Sequence, residues 1–121
     1  MSNESNLTYS NSAKVKASDV AISALEDKKA SDIVSINLQG NSYTDSLVIA
    51  TGSSERSVQA LADNVQEFLH KAGFVAVVEG TPHNNWVVID AGETVVHIFI
   101  KATRELYNLE KLYSLDEISA I

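Results

Sequence analysis

The segment from Asp45 to Asp63, DSLVIATGSSERSVQALAD, constrains the fold of this chain more than any other feature. Its first half, Ser46 to Thr51, is a nearly continuous apolar run, which predicts a strand buried on both faces. Gly52-Ser53 then predicts a tight turn, and Ser53 or Ser54 can cap the helix that follows. The segment therefore predicts a strand–turn–helix unit, as found in α/β domains.

The helix after this turn has the clearest periodicity in the sequence. Its apolar residues recur at the three- and four-residue spacings that place side chains on one face of a helix. They are Val58, Leu61, Ala62, Val65, Leu69 and Ala72. Gly73 stands where a residue in the left-handed conformation would end the helix.

Weaker patterns on either side predict the other elements. These are a helix over 18–29, strands over 33–38, 74–78, 86–89 and 94–100, and a helix over 103–113. Ser114 and Glu117 have capping-box spacing, so a last short helix is expected in the extension over 114–121. The order predicts a single α/β domain with a mixed sheet of about five strands and packed helices.

Composition sets the limits of this domain. Residues 1–17 are rich in Ser and Asn and poor in apolar residues, so we expect a flexible polar tail before a folded domain over 18–113. The chain of 121 residues is 45% hydrophobic and has no cysteine, which excludes disulfides and Cys-based zinc sites. It contains neither a signal-peptide pattern nor a run of about 20 apolar residues, so a cytoplasmic protein without membrane contact is expected.

The charge balance favours a protein partner over a nucleic acid. The net charge is −7, and the nine basic residues are scattered along the chain. Nucleic-acid binding relies on Lys and Arg to neutralise phosphates, so direct nucleic-acid binding is not expected as the main contact. An acidic protein is better suited to a basic protein partner, because complementary charge accelerates encounter.

The Gly-Ser turn before a helix raises two catalytic alternatives. A helix N-terminus can bind phosphate, but the lysine of a P-loop and the three glycines of a dinucleotide-binding loop are missing. Nucleotidyltransferases also place Gly-Ser at such a turn, followed by alternating acids that hold metal ions. Here Asp63 lies on the predicted helix and Asp90 is followed by Ala91-Gly92. The absence of an alternating acidic pair argues against an enzyme and against a metal or nucleotide cofactor.

Two aromatic side chains of the C-terminal half carry the remaining site hypotheses. His97 lies within a predicted strand, where a hydrogen-bonded or half-buried histidine is expected, although a pairing with Ser53 or Ser54 stays open. Trp86 opens another strand, so it is either a core residue or an exposed anchor for a partner. Strand alternation would place Val88 on the same face as Trp86.

Four ordered blocks of this sequence resemble the Iojap-related ribosomal silencing factors. They are DSLVIATGSSERSVQALAD, WVVID, GETVVHIF and RELYNLE. The resemblance extends over roughly residues 18–113. It implies a fold with nucleotidyltransferase-like topology but without the catalytic acids, and the possibility of a homodimer.

The function that this resemblance implies is repression of translation under nutrient limitation or in stationary phase. Such factors bind the large ribosomal subunit through its protein numbered fourteen and sterically block joining of the subunits. This activity requires no catalysis, metal or other cofactor. A diverged nucleotidyltransferase-like enzyme and a ribosome-assembly adaptor stay open as alternatives.

Strand alternation, acidity and the resemblance together predict the contact residues. The predicted set consists of Trp86, Val88, Asp90, Glu79, Glu93, Glu105, Tyr107 and Tyr113. Charged residues beside them on the last predicted helix, Arg104 and Glu110 among them, are expected to form a solvated face.

Overall fold

The structure, a computed structural model, describes residues 15–38, 44–113 and 117–121. Four helices are described: α1 (Ala17–Asp27), α2 (Glu55–Lys71), α3 (Lys101–Tyr107) and α4 (Leu109–Leu112). Six strands are described: β1 (Ser31–Asn37), β2 (Ser46–Gly52), β3 (Val77–Gly80), β4 (Trp86–Asp90), β5 (Thr94–Ile100) and β6 (Glu117–Ala120).

The strands form one mixed sheet in the order β3-β4-β5-β2-β1-β6. Strands β2 and β5 are parallel, and every other neighbouring pair is antiparallel. The predicted α/β domain with a mixed sheet is confirmed, with six strands in place of about five.

The first face of the sheet is covered by α1 and α2, and the main core lies there. Apolar residues of β2, β4 and β5 on this face pack against the buried stripe of α2, which includes Val58, Val65 and Leu69. The strong periodicity of α2 is therefore the signature of its packing, as expected for an amphipathic helix on a sheet.

The strand–turn–helix unit forms as its sequence predicts. Ser54 caps α2, because its hydroxyl accepts a hydrogen bond from the Ser57 N–H at 3.1 Å. A Cβ at Gly52 would lie 2.7 Å from the Ser57 Oγ and 2.8 Å from a Val58 methyl, so the turn has room only for glycine. Gly73 has φ of +91°, which confirms the predicted left-handed residue after the helix.

The second face of the sheet carries a smaller core that α3 and α4 cover only in part. Ile36, Leu47, Ile49 and Phe99 are buried there, and partly buried side chains from β4 and α4 pack against them. This unequal coverage leaves part of the second face accessible to solvent.

The two ends of the domain differ from the prediction. Residues 117–120 form a strand and not a short helix, because they pair with the otherwise open edge of β1, and the Ile121 N–H also donates to the Ile33 carbonyl. Helix α1 begins at Ala17, so the boundary predicted at residue 17 falls inside the fold. Residues 1–14 of the predicted tail lie outside the described residues.

Two internal elements also differ from their predicted bounds. Strand β3 covers 77–80 and not 74–78. The helix predicted over 103–113 begins at Lys101 and is divided into α3 and α4 at Asn108, whose φ is +44°. A non-glycine residue in this left-handed region interrupts a helix, and asparagine tolerates it better than most residues.

Candidate contact surface

Strand β4 sends its side chains alternately to the two faces of the sheet. Val87 and Ile89 are buried under the helices, at 4% and 0% exposure. Trp86 and Val88 point to the second face and are half-buried, whereas Asp90 on that face is exposed. The predicted division of this strand into two faces is confirmed.

Trp86 is held on the second face by three aromatic rings. Its ring is stacked on that of Phe99 with 5.0 Å between centroids, and the ring of Tyr107 from α3 lies 4.7 Å away. The His97 ring centroid is 5.9 Å from it. Aromatic pairs at such separations attract each other beyond simple burial. Trp86 is therefore a fixed, half-buried side chain that combines features of both predicted alternatives, core residue and accessible anchor.

His97 orients the Trp86 ring by accepting a hydrogen bond from its indole N–H. Its Nδ1 accepts a hydrogen bond from the Trp86 Nε1–H, with 3.0 Å between the nitrogens. Burial lowers the pKa of His97 from 6.5 to about 4, so the imidazole is neutral at pH 7. The predicted hydrogen-bonded, half-buried histidine is confirmed, and its Nδ1 lone pair is engaged by Trp86.

The accessible part of the second face, here called the open sheet face, extends from Trp86 across three strands. Register pairs Glu79 with Val88 and Val88 with His97, and it pairs Val77 with Asp90 and Asp90 with Val95. The open sheet face is thus formed by Val77, Glu79, Trp86, Val88, Asp90, Val95 and His97. Val77 is 61% exposed, although valine is usually buried. This patch has an apolar centre and acids at its margin.

The structure brings five of the eight predicted contact residues together. Glu79, Trp86, Val88 and Asp90 lie on the open sheet face, and Tyr107 borders it with 51% of its surface exposed. Strand alternation was enough to group the three residues of β4.

The other three predicted contact residues lie elsewhere. The Glu93 carboxylate accepts a hydrogen bond from the Ala17 N–H at 2.8 Å, so it caps the first turn of α1. Tyr113 packs against the smaller core. Glu105 lines a cleft beside Arg104 and Asn108. The sequence does not show these placements, because each depends on contacts between distant segments.

The predicted contact set omits Val77 and His97, which lie on the open sheet face, and the sequence does not reveal that Arg104 is largely enclosed. Val77 could have been found only with the register between β3 and β4, which the sequence leaves open. The side chain of Arg104 is just 11% exposed and pairs with Glu110 at 2.9 Å. The prediction of a solvated face for these two residues is therefore wrong.

The side chains of Asp63, Asp90 and Ser54, which the sequence raised as catalytic candidates, form hydrogen bonds within their own helix or turn. Asp63 accepts from the Gln59 side chain at 2.8 Å, and Asp90 accepts from the Gly92 N–H at 2.9 Å. The Ser54 hydroxyl serves the helix cap. Among the described residues, no group of three or more histidine and carboxylate side chains could hold a metal ion. Within the same ranges, no helix has the length and apolar character needed to cross a membrane.

Comparison with known proteins identifies the family to which this fold belongs. The profile of the family described as "Ribosomal silencing factor during starvation" matches residues 10–120, which is nearly the whole chain. The chain belongs to this family of ribosomal silencing factors. The resemblance derived from the four sequence blocks is thereby confirmed.

This chain is similar in sequence to individual ribosomal silencing factors and similar in fold to a solved structure. "Ribosomal silencing factor RsfS" of Halalkalibacterium halodurans is 41% identical over 96 residues, covering 78% of this chain and 82% of that protein. The protein of the same name from Haemophilus influenzae is 42% identical over 92 residues, covering 74% and 90%. A crystal structure of a Chromobacterium violaceum protein has a TM-score of 0.77 at 41% identity, covering 81% of this chain and 83% of that one.

Proposed function

We propose that this silencing factor represses translation by binding the large ribosomal subunit through its protein numbered fourteen. The bound factor then occupies the face that the small subunit must contact, and the subunits cannot join. The proposed activity is steric, so it uses no catalytic group and no cofactor. Its place of action is the ribosome in the cytoplasm.

The observation that supports this proposal is the fixed but accessible Trp86 at the end of the open sheet face that Tyr107 borders. Tryptophan is prominent among the residues that dominate binding energy at protein interfaces. The Trp86 ring is already ordered by Phe99, Tyr107 and His97 in the free protein. Little side-chain entropy would then be lost on binding, which favours affinity.

The charge around this anchor fits a basic protein partner. Glu79 and Asp90 are exposed beside Val88 at the centre of the open sheet face, and the exposed Val77 adds apolar surface at its edge. An apolar centre with a polar rim is the usual arrangement of protein interfaces. Acidic groups in the rim would accelerate association with a basic surface. We therefore propose a ribosomal protein, and not ribosomal RNA, as the main contact.

Co-sedimentation with separated ribosomal subunits tests the proposal. The wild-type factor should pellet with large subunits and not with small ones. Trp86→Ala should weaken this association by about 30-fold or more, as expected for a tryptophan that anchors an interface. Phe74→Ala is a matched control, because Phe74 is also a half-buried aromatic residue but packs on the helical side of the sheet.

The comparison of the two variants makes the result decisive. Both should lose thermal stability, but only Trp86→Ala should lose subunit binding. Equal binding by both variants would show that Trp86 is not the anchor. Failure of the wild-type factor to bind large subunits would reject the proposed function itself.

A further inference from the structure

We infer that Arg104 is a positioning residue for the proposed ribosome contact, since it holds α3 so that Tyr107 lies against Trp86. This inference rests on the proposed function, because it concerns how the same surface is formed. It assigns a role to Arg104, a largely enclosed cation that the proposed contact does not otherwise use.

Each of the three nitrogens of the Arg104 guanidinium donates at least one hydrogen bond. One terminal nitrogen donates to the Asp32 carbonyl at 2.6 Å and to the Thr51 hydroxyl at 2.8 Å. The Nε and the other terminal nitrogen both donate to one Glu110 carboxylate oxygen, at 3.2 and 2.9 Å. These residues, here called the Arg104 cluster, join α3 and α4 to β1 and β2.

A bulge in β1 supplies one acceptor of the Arg104 cluster. Between Ser31 and Val34 the pairing with β2 shifts, and Asp32 has φ of +49°. A bulge turns backbone groups away from the regular ladder. In this case the Asp32 carbonyl faces Arg104. The irregular backbone of β1 is therefore part of the arrangement that holds the helix.

The helix that Arg104 holds has little else to fix it. No residue of α3 is buried, so apolar packing contributes less to its position than it does for α2. The last turn of α3 is closed by an ordinary backbone hydrogen bond from the Asn108 N–H to the Arg104 carbonyl, at 2.8 Å. The side chain of Arg104 therefore acts on the side of α3 that faces the sheet.

Tyr107 lies in that last turn, three residues after Arg104. Its ring is 4.7 Å from Trp86 and contributes exposed surface beside it. If the Arg104 cluster is broken, α3 should shift or fray, and Tyr107 should no longer pack on Trp86. The proposed anchor would then lose one of its three aromatic neighbours without any change in its own strand.

Lysine cannot replace arginine in this arrangement. The planar guanidinium reaches three acceptors on different elements at once, whereas an ammonium group on a flexible chain lacks this geometry. Arg104→Lys keeps the charge and tests the hydrogen-bond pattern. Glu110→Gln is a milder variant that retains an acceptor oxygen but removes the ion pair. Lys111→Ala is the control, since it removes an exposed cation from the adjacent helix α4.

Fluorescence of the free protein tests the positioning step without a partner, because Trp86 is the only tryptophan. We expect Arg104→Lys, and to a smaller extent Glu110→Gln, to shift Trp86 emission to longer wavelength and to increase its quenching by acrylamide. Lys111→Ala should leave both unchanged. Unchanged emission and quenching in Arg104→Lys would overturn the inference, whatever its effect on binding.

Binding to isolated large subunits tests the functional step. We expect Arg104→Lys to weaken binding about tenfold, which corresponds to about 1.4 kcal/mol. In a Tyr107→Ala background the same substitution should have little further effect, because Arg104 acts through Tyr107. Additive losses would overturn this part of the inference. If wild type and Trp86→Ala bind equally well, the proposed anchor fails instead, and the fluorescence result still decides the position of Tyr107.

Discussion

The indole N–H of Trp86 donates a hydrogen bond to Nδ1 of His97 on the neighbouring strand, with 3.0 Å between the two nitrogens. The bond requires His97 to be neutral and protonated on Nε2, because a protonated Nδ1 cannot accept. The orientation of the proposed anchor is thereby linked to the protonation state of one histidine. Since burial lowers the pKa of His97 to about 4, the link is intact at neutral pH.

This relationship predicts a specific loss of stability in acid. The pKa of His97 is about 4 in the folded protein and 6.5 in the unfolded chain, so protons bind the unfolded chain more readily. The contribution of neutral His97 to stability is fully present above pH 6.5. It decreases as the pH falls from 6.5 to 4 and changes no further below that. The total loss should be about 3 kcal/mol, at about 1.4 kcal/mol per pH unit.

Denaturant unfolding of wild type and His97→Gln between pH 7.5 and 4 measures this loss. The difference between the two proteins cancels the titration of carboxylates that they share. His83→Gln, in an exposed turn, is the control and should parallel wild type. A wild-type minus His97→Gln difference that stays constant with pH would contradict the lowered pKa of His97.

Trp86 substitutions should separate the hydrogen bond from the ring packing. Trp86→Phe keeps an aromatic ring on Phe99 but loses the donor to His97, so a cost of about 1 kcal/mol is expected. Trp86→Ala also loses the ring packing, and about 2–3 kcal/mol is expected for a half-buried site, less than the 3–5 kcal/mol of a buried one. Chemical denaturation measures both values. Equal costs for the two variants would mean that ring packing contributes nothing.

Charge reversal on the open sheet face should slow association with the large subunit. Glu79→Lys and Asp90→Lys each place a cation where the proposal requires an acid, and steering by charge acts mainly on the association rate. Glu26→Lys makes the same charge change on an exposed site of α1, which lies on the helical side of the sheet. Stopped-flow measurements at low salt should show slower association for the first two variants only. A similar rate for all three would show that the acids of this face do not steer binding.

Truncation should locate the start of the stable domain at Val15 and not at Ser18. A chain that begins at Ser18 lacks Ala17, which is fully buried and donates its N–H to the Glu93 carboxylate. Its loss should cost about 1–2 kcal/mol, as for the loss of a helix cap. A chain that begins at Val15 should melt like the full-length protein. Indistinguishable melting of both truncated chains would show that the Ala17–Glu93 bond does not stabilise the fold.

Elements with strong local patterns could be predicted from the sequence. The apolar stripe of α2, its Ser54 cap and Gly73 are local signals, and the alternation of β4 already separates Trp86 from Val87. The elements whose structure differs from the sequence-based prediction depend on contacts between distant segments. The final strand β6 forms because β1 offers it a partner. Glu93 and Arg104 look like surface residues in the sequence, since their hydrogen-bond partners, Ala17 and Asp32, come from distant segments of the chain.

Joining of isolated ribosomal subunits in the presence of the factor tests the central claim most directly. Large subunits are incubated with wild type, Trp86→Ala or Phe74→Ala before small subunits are added, and joining is followed by light scattering. At a concentration that saturates large subunits with the wild-type factor, wild type and Phe74→Ala should block joining, whereas Trp86→Ala should block it far less because it binds about 30-fold more weakly. Normal joining by large subunits saturated with the wild-type factor would contradict the central claim.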